Sequence, residues 1–296
     1  MSGAAEIKTR IASIAETRKV TDAMYMISSV KMRKAKRERE STEPYFNALR
    51  LEIGELLHYI PENANRYFQN LDPDGIQGRA LLLITSDKGL SGNYNHAAIK
   101  AAQERIEEYP DTIPFIIGEY GRQSFLGRKM DYVEDFNYPA AFPTIQEARR
   151  ICSSLLELYD NDTVDEIDII YTHYKVGKPG ECRTLTLLPL DHSSFYDGND
   201  FVIAGKEYYP DPDTVLNGIV PSYLTGFIYS ALVDSYCSEQ EARMTAMSSA
   251  GKNADEMLKS LMQQYNAIRQ AAITREMTEI AAGAKALRKK RRKQQS

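Results

Sequence analysis

Apolar side chains return at helical spacing at both ends of this chain and in short strand-like runs only in the middle. Between Ser238 and Leu287 fifty residues pass without a proline. Met247, Ala254, Leu261 and Ile268 fall seven apart, Ala250, Met257 and Tyr265 lie between them, and Ile273, Met277, Ile280, Ala284 and Leu287 continue in steps of three and four after a slip. This predicts one long helix with a narrow apolar stripe, and the slip argues against a strict heptad coil. Such a helix would span roughly 75 Å at about 1.5 Å per residue, so its stripe needs another long helix as partner. The segment Glu6 to Glu40, free of proline and glycine, is a candidate. Its stripe runs through Ile7, Ile11 and Ile14, then Val20, Met24 and Ile27 after a phase break, with Met24 and Ile27 expected to face the final helix. A pair of core helices in a globular domain would show the same periods. The length and polar character of both segments weigh against that reading.

The middle of the chain reads differently. The first helix is expected to run through the basic stretch Lys31 to Arg39 and to resume beyond Pro44 toward His58, after which Pro61 to Gly78 forms a connection. Ala80 to Ile84 and Thr112 to Ile117 are short apolar runs, each followed by a helical pattern. Thr144 caps another helix, with Glu147 at the capping-box position. Ile167 to Tyr174 and Thr184 to Leu190 read as strands of a hairpin across Gly177 to Gly180, which makes the sheet mixed. Strand and helix alternate, so the fold class is α/β, with a small Rossmann-like domain over residues 79–204. It lies between an N-terminal coiled-coil helix, residues 1–60, and a C-terminal one, residues 213–287. A basic tail, residues 288–296, follows.

Charge divides along the same lines. The net charge of −4 hides ten basic against four acidic residues in Met1 to Arg39 and six basic residues in Arg288 to Lys293, which leaves the middle at about −16. Attraction to a polyanion would belong to the termini, although a charge run on a helix is also simply a solvated face. Cys152, Cys182 and Cys237 are odd in number and lack metal-ligand spacing, which fits a reducing compartment. The most apolar long stretch, Gly218 to Val233, is interrupted by Pro221, Thr225 and Gly226, and no transmembrane segment or signal peptide is expected.

Candidate chemistry is sparse. Ser86 to Asn93 follows a strand and opens a helix, where backbone amides can hold a phosphate. Its glycines have Gly-x-x-Gly spacing, however, and match neither a dinucleotide fingerprint nor a Walker loop, so a structural turn competes with a nucleotide site. His58, His96, His173 and His192 are isolated from one another and read as ordinary loop or strand residues. Asp165, Glu166 and Asp168 read as a solvated strand edge rather than a catalytic pair. On the residues alone three classes stay open: a shaft or rotor, a nucleotide-binding α/β enzyme, and a coiled-coil scaffold with basic nucleic-acid-binding ends.

At these same residues the chain resembles the gamma subunit of the rotary F-type ATP synthases. Glu6-Ile7-Lys8, Arg10-Ile11, Lys19-Val20-Thr21, Ala23-Met24 and Lys31-Met32-Arg33-Lys34-Ala35 look like that family's first helix. Ser86-Asp87-Lys88-Gly89-Leu90-Ser91-Gly92 with Asn95 looks like its α/β-domain signature, with Lys88 and Ser91 where the family often has arginine and cysteine. Glu241 to Met247, Asn253-Ala254, Tyr265-Asn266 and Arg269-Gln270-Ala271-Ala272-Ile273-Thr274, with Glu276, Glu279-Ile280 and Gly283-Ala284, match its final helix. The resemblance implies an antiparallel coiled shaft inside a hexamer of alpha and beta subunits. The α/β domain would be a foot binding the epsilon subunit and the c-ring, peripheral to the cytoplasmic face of a bacterial cell membrane. It implies no catalytic site, cofactor or metal, and no nucleic-acid partner. Arg33, Lys34, Arg243, Arg269, Gln270 and Thr274 would be the shaft's contacts with the hexamer.

Overall fold

The computed structural model describes residues 2–61, 64–69, 75–76, 78–175, 177–195 and 206–294. Eight of the eighteen residues of the connection expected over Pro61 to Gly78 lie outside these residues, as do the side chains of the basic tail. Among the described residues the order is α1 (Ser2–Leu56), β1 (Arg79–Ile84), α2 (Tyr94–Glu108), β2 (Thr112–Ile117), α3 (Glu119–Arg128), α4 (Ile145–Asp160), β3 (Glu166–His173), β4 (Glu181–Leu188) and α5 (Pro212–Gln294). Packing divides the chain into two compact units. A helical unit joins Met1–Met26 with Met247–Ser296, and a mixed unit comprises Ile27–Ala246.

In the helical unit the start of α1 packs on α5 along a seam that keeps heptad register. On α5 Met247, Gly251, Ala254 and Leu261 are buried, with Leu258 and Tyr265 half-buried between and after them. On α1 Ile7, Ile11, Ile14, Arg18, Thr21 and Met24 turn inward. The phase break expected after Ile14 came from treating Val20 and Ile27 as inward. They are 50% and 54% exposed, and polar Arg18 and Thr21 take the seam positions instead. In the same way Leu258 rather than the 55% exposed Met257 continues the seam on α5, and Gly251 is buried beside half-buried Ala250. Arg18 can occupy it because its Nε donates to Asp255 at 3.0 Å while the guanidinium also pairs with Asp22. Gly251 leaves it room, since a Cβ there would meet Arg18 Nη1 at 3.2 Å. From Asn266 to Lys285 every residue of α5 is exposed, about 30 Å of helix, with Ile273, Met277 and Ile280 on its surface.

The mixed unit is built on a sheet of order β2-β1-β3-β4, with β1 parallel to both neighbours and β4 antiparallel to β3. A strand covered on both faces needs apolar residues at successive positions, which is why β1 reads as a continuous run. Ala80, Leu82 and Ile84 point into the larger core with α1, α4 and α5, while Leu81 and Leu83 meet Ala98, Ile99 and Ala102 of α2 and Phe125 of α3. The capping box expected at α4 is formed, with both Thr144 and Glu147 contributing.

Helix α1 passes through Pro44 without stopping, rather than resuming as a second stretch. An interior proline costs about 3 kcal/mol. Burial of Ile53, Leu56 and Leu57 offsets that, and so does the seating of Phe46 against Gly226, where a Cβ would lie 2.0 Å from the ring. Contacts pair Phe46 with Gly226, Arg39 with Asp234 and Met32 with Cys237, so α1 and α5 run antiparallel here. By length and composition α5 is apolar enough to cross a bilayer, contrary to the reading of Gly218 to Val233. Its Val220, Leu224, Ile228, Leu232 and Val233 are buried in the larger core, however, and that burial accounts for their character.

The acidic group at β3 is not a solvated edge, because β3 lies inside the sheet. Asp168 is 3% exposed, receives Arg105 Nε at 2.6 Å and the Thr186 hydroxyl at 2.9 Å, and stands beside Glu166, which binds both Arg79 and Arg105 at 3.0 Å. Partnered in this way it is a structural network.

Candidate functional site

The densest polar chemistry lies in the mixed unit, where α5 crosses the end of β3 and the loop after β1. There α5 turns Asp234, Ser235, Ser238, Glu239, Gln240 and Arg243 inward, each less than a tenth exposed. Buried polar groups must be hydrogen-bonded, and most of these bonds lead to other elements. The Asp234 carboxylate pairs with Arg39 of α1 and with His173 Nδ1 at 2.7 Å. Burial pushes its pKa above the ordinary carboxylate value, against the pull of Arg39 and His173. The Thr172 amide donates to Ser235 Oγ at 3.1 Å, and Ser238 Oγ donates to the Thr172 carbonyl at 3.2 Å. From α1, Lys36 Nζ donates to the Tyr174 hydroxyl at 2.6 Å. Both long helices are thereby bonded to one strand end.

One turn further, Arg243 Nη2 donates to Glu239 Oε1 at 2.5 Å and to the carbonyls of Gly89 and Lys88 at 3.0 and 3.3 Å. Gln240 donates to the other Glu239 oxygen at 2.9 Å. Burial raises the Glu239 pKa, opposed first by Arg243. The loop they hold is itself fully engaged. The Ser86 amide donates to Asn95 Oδ1 at 2.9 Å, and Asp87 accepts the amides of Ala140 at 3.1 Å, Ala141 at 3.0 Å and Glu119, the first residue of α3, at 3.3 Å. Leu90 adopts φ 66° and Gly92 φ 59°. These bonds tie the loop to α2, α3 and α5, which is the work of a structural turn.

The expected contact residues fall in different places. Arg269, Gln270 and Thr274 are brought together on consecutive exposed turns of α5 in the helical unit. Arg33 and Lys34 are exposed on α1 in the mixed unit, Lys34 lying 3.8 Å from Glu38. Arg243 does not join them. At 9% exposure its guanidinium is bonded within the fold. Sequence reasoning missed Arg39, His173, Asp234 and Glu239, because a periodic pattern assigns polar residues to the outside. The one available signal was the run Asp234 to Arg243, polar on every face of a helix otherwise striped.

A family model described as ATP synthase matches residues 3–287. An ATP synthase gamma chain of Acetivibrio thermocellus is 39% identical over 290 residues, covering 96% of this chain and 98% of that one. One of Caldanaerobacter subterraneus subsp. tengcongensis is 40% identical over 294 residues, covering 95% and 99%. A sodium-ion-specific gamma chain of Acetobacterium woodii is 32% identical, covering 95% and 98%. In three dimensions the fold is similar to a chain of the Euglena gracilis mitochondrial ATP synthase, described with OSCP, F1 and c-ring, with a TM-score of 0.66 at 15% identity, covering 97% of this chain and 95% of that one. It is also similar to a chain of the Tetrahymena thermophila central stalk and c-ring, with a TM-score of 0.60 at 20% identity, covering 78% and 99%. Matched along almost its whole length by these bacterial relatives, the chain belongs to the ATP synthase gamma-chain family.

Proposed function

We propose that this chain is the rotor shaft that couples ion-driven rotation of a c-ring to ATP synthesis in a surrounding hexamer of alpha and beta subunits. As a gamma chain it is a subunit of the rotary, membrane-associated ATP synthase. In this reading residues 1–60 and 213–287 form the shaft. Residues 79–204 form a foot that binds the epsilon subunit and the c-ring at the cytoplasmic face of a bacterial cell membrane, and nucleotide chemistry belongs to the hexamer alone.

The observation that carries the proposal is the fully exposed stretch Asn266 to Lys285. An isolated helix draws little stability from propensity, and one that presents Ile273, Met277 and Ile280 outward is built to be surrounded. Arg269, Gln270 and Thr274 offer several oriented donors there, with small Ala271 and Ala272 beside them, and Arg33 and Lys34 add charge from α1. Moving a catalytic site from 1:99 to 99:1 in favour of one state takes roughly 5.5 kcal/mol of differential interaction, within reach of a few such contacts. The basic tail is an accessory in this reading, and truncation after Leu287 leaves hydrolysis and pumping coupled.

The test is to wash membranes gently and then strip them at low ionic strength. The chain is expected to leave the membrane together with the ATPase activity and to co-purify with it. Release of that activity in full without this chain would contradict the proposal.

A further inference from the structure

We infer that Arg243, with Glu239, is a positioning clamp that locks the loop after β1 onto α5, so that the α/β domain and the long helix turn as one body. The inference rests on the rotor reading. A torque applied to the sheet must reach α5 through bonds that resist sliding, and apolar packing between a sheet and a helix resists shear weakly because it is non-directional. Directional bonds therefore matter most where α5 leaves the domain. Arg243 lies near the end of the mixed unit, three residues before Ala246, and among the described residues it is the most C-terminal residue of α5 bonded to a loop of the sheet.

The geometry suits a clamp. One guanidinium nitrogen reaches two successive carbonyls, Lys88 and Gly89, while Glu239 one turn back on α5 holds the same nitrogen at 2.5 Å. Gln240 fixes the second oxygen of Glu239, so the carboxylate is oriented from both sides. The gripped loop is rigid beyond the grip. Asp87, adjacent to Lys88, accepts three amides from α3 and the 140–141 segment, so a load placed on Lys88 and Gly89 spreads through the domain. Glu239 compensates the charge of that buried nitrogen, while the two backbone carbonyls share its N–H groups.

The test uses the assembled complex carrying Arg243→Lys, Arg243→Ala or Glu239→Gln. Two readouts are taken at a temperature where each variant complex remains intact: amide hydrogen exchange over residues 86–93, and the number of ions pumped per ATP hydrolysed. The clamp predicts exchange in that loop at least ten times faster for Arg243→Ala, with the sheet strands unchanged. It also predicts a fall in pumping per ATP, with Arg243→Lys intermediate. Glu239→Gln, which keeps shape and removes charge, is the safeguard should the alanine variant fail to assemble, and it must show the same loop-specific change. Unchanged loop exchange and unchanged pumping per ATP in either variant would overturn the clamp. Faster exchange throughout the mixed unit would overturn it too, by showing general destabilisation. A lower pumping ratio with unaltered loop exchange would instead assign Arg243 to a contact with the hexamer and leave the rotor reading standing.

Discussion

The two units solve one problem, holding two long helices together, by opposite means. In the mixed unit α1 and α5 lie in a deep core with the sheet and are cross-bonded through Asp234, Arg39, His173 and Lys36. In the helical unit the same two helices share a seam containing a glycine, an alanine, a threonine and an arginine, and beyond it α5 is exposed on all sides. The lesson is that stability and function are separated along the chain. Where load enters, the helices are fixed by directional bonds. Where, on the proposed reading, contacts form and break, α5 is exposed on every face from Asn266 to Lys285.

The largest difference should appear on making the same truncation in both units. Leu82→Ala, at a position with no exposure on the central strand, should cost about 3 kcal/mol through lost burial and a cavity that cannot collapse. Urea unfolding followed by circular dichroism measures it. A cost below about 1 kcal/mol would mean that the mixed unit is far looser than its packing implies.

Acting on the same unit, pH gives a second and smaller handle. Burial pushes the Cys237 thiol up to about 12 from an ordinary 9.0, and Cys152 up to about 11. Because the folded state prefers the protonated thiols, their contribution is present in full below about pH 9 and is lost as pH rises toward 11 and 12. Replacing Cys237 with alanine should therefore flatten the decline in melting temperature above pH 9. An unchanged slope would show that the thiol is not the group being titrated.

Third comes Leu261→Ala in the helical unit, where the side chain is 9% exposed and faces a single helix. Its expected cost is about 2 kcal/mol, at the low end because neighbouring side chains can relax into the space. Hydrogen exchange should accelerate locally, with the sheet unaffected. The smallest effect is that of Ile27→Asp, expected to stay within about 0.5 kcal/mol since the residue is 54% exposed. A loss of several kcal/mol there would restore the inward-facing stripe through Val20 and Ile27.

That last contrast shows where the sequence was legible. The strands, the capping box at α4, the mixed sheet and the two long helices could all be read from periodicity, because apolar runs and caps have local causes. The heptad spacing of Met247, Ala254 and Leu261 could be read on α5, but the matching register on α1 could not. Arg18 and Thr21 occupy inward positions, and a rule that seeks apolar residues skips them and finds a phase break. The junction escaped for the same reason, since Asp234 and Arg243 are buried by partners more than sixty residues away. Arg269, Gln270 and Thr274 are exposed on α5, which agrees with the simple helical reading of that stretch.

The central claim is that the exposed turns of α5 act on a partner without contributing to the chain's own stability. It is tested most directly by replacing Arg269 and Gln270 together with alanine, then measuring ATP hydrolysis and ion pumping in the assembled complex. An unchanged melting temperature of the chain is expected, with a loss of about tenfold in coupled activity, equivalent to roughly 1.4 kcal/mol of missing differential contact. Normal rates with normal coupling, in a complex that still contains the variant chain, would contradict it.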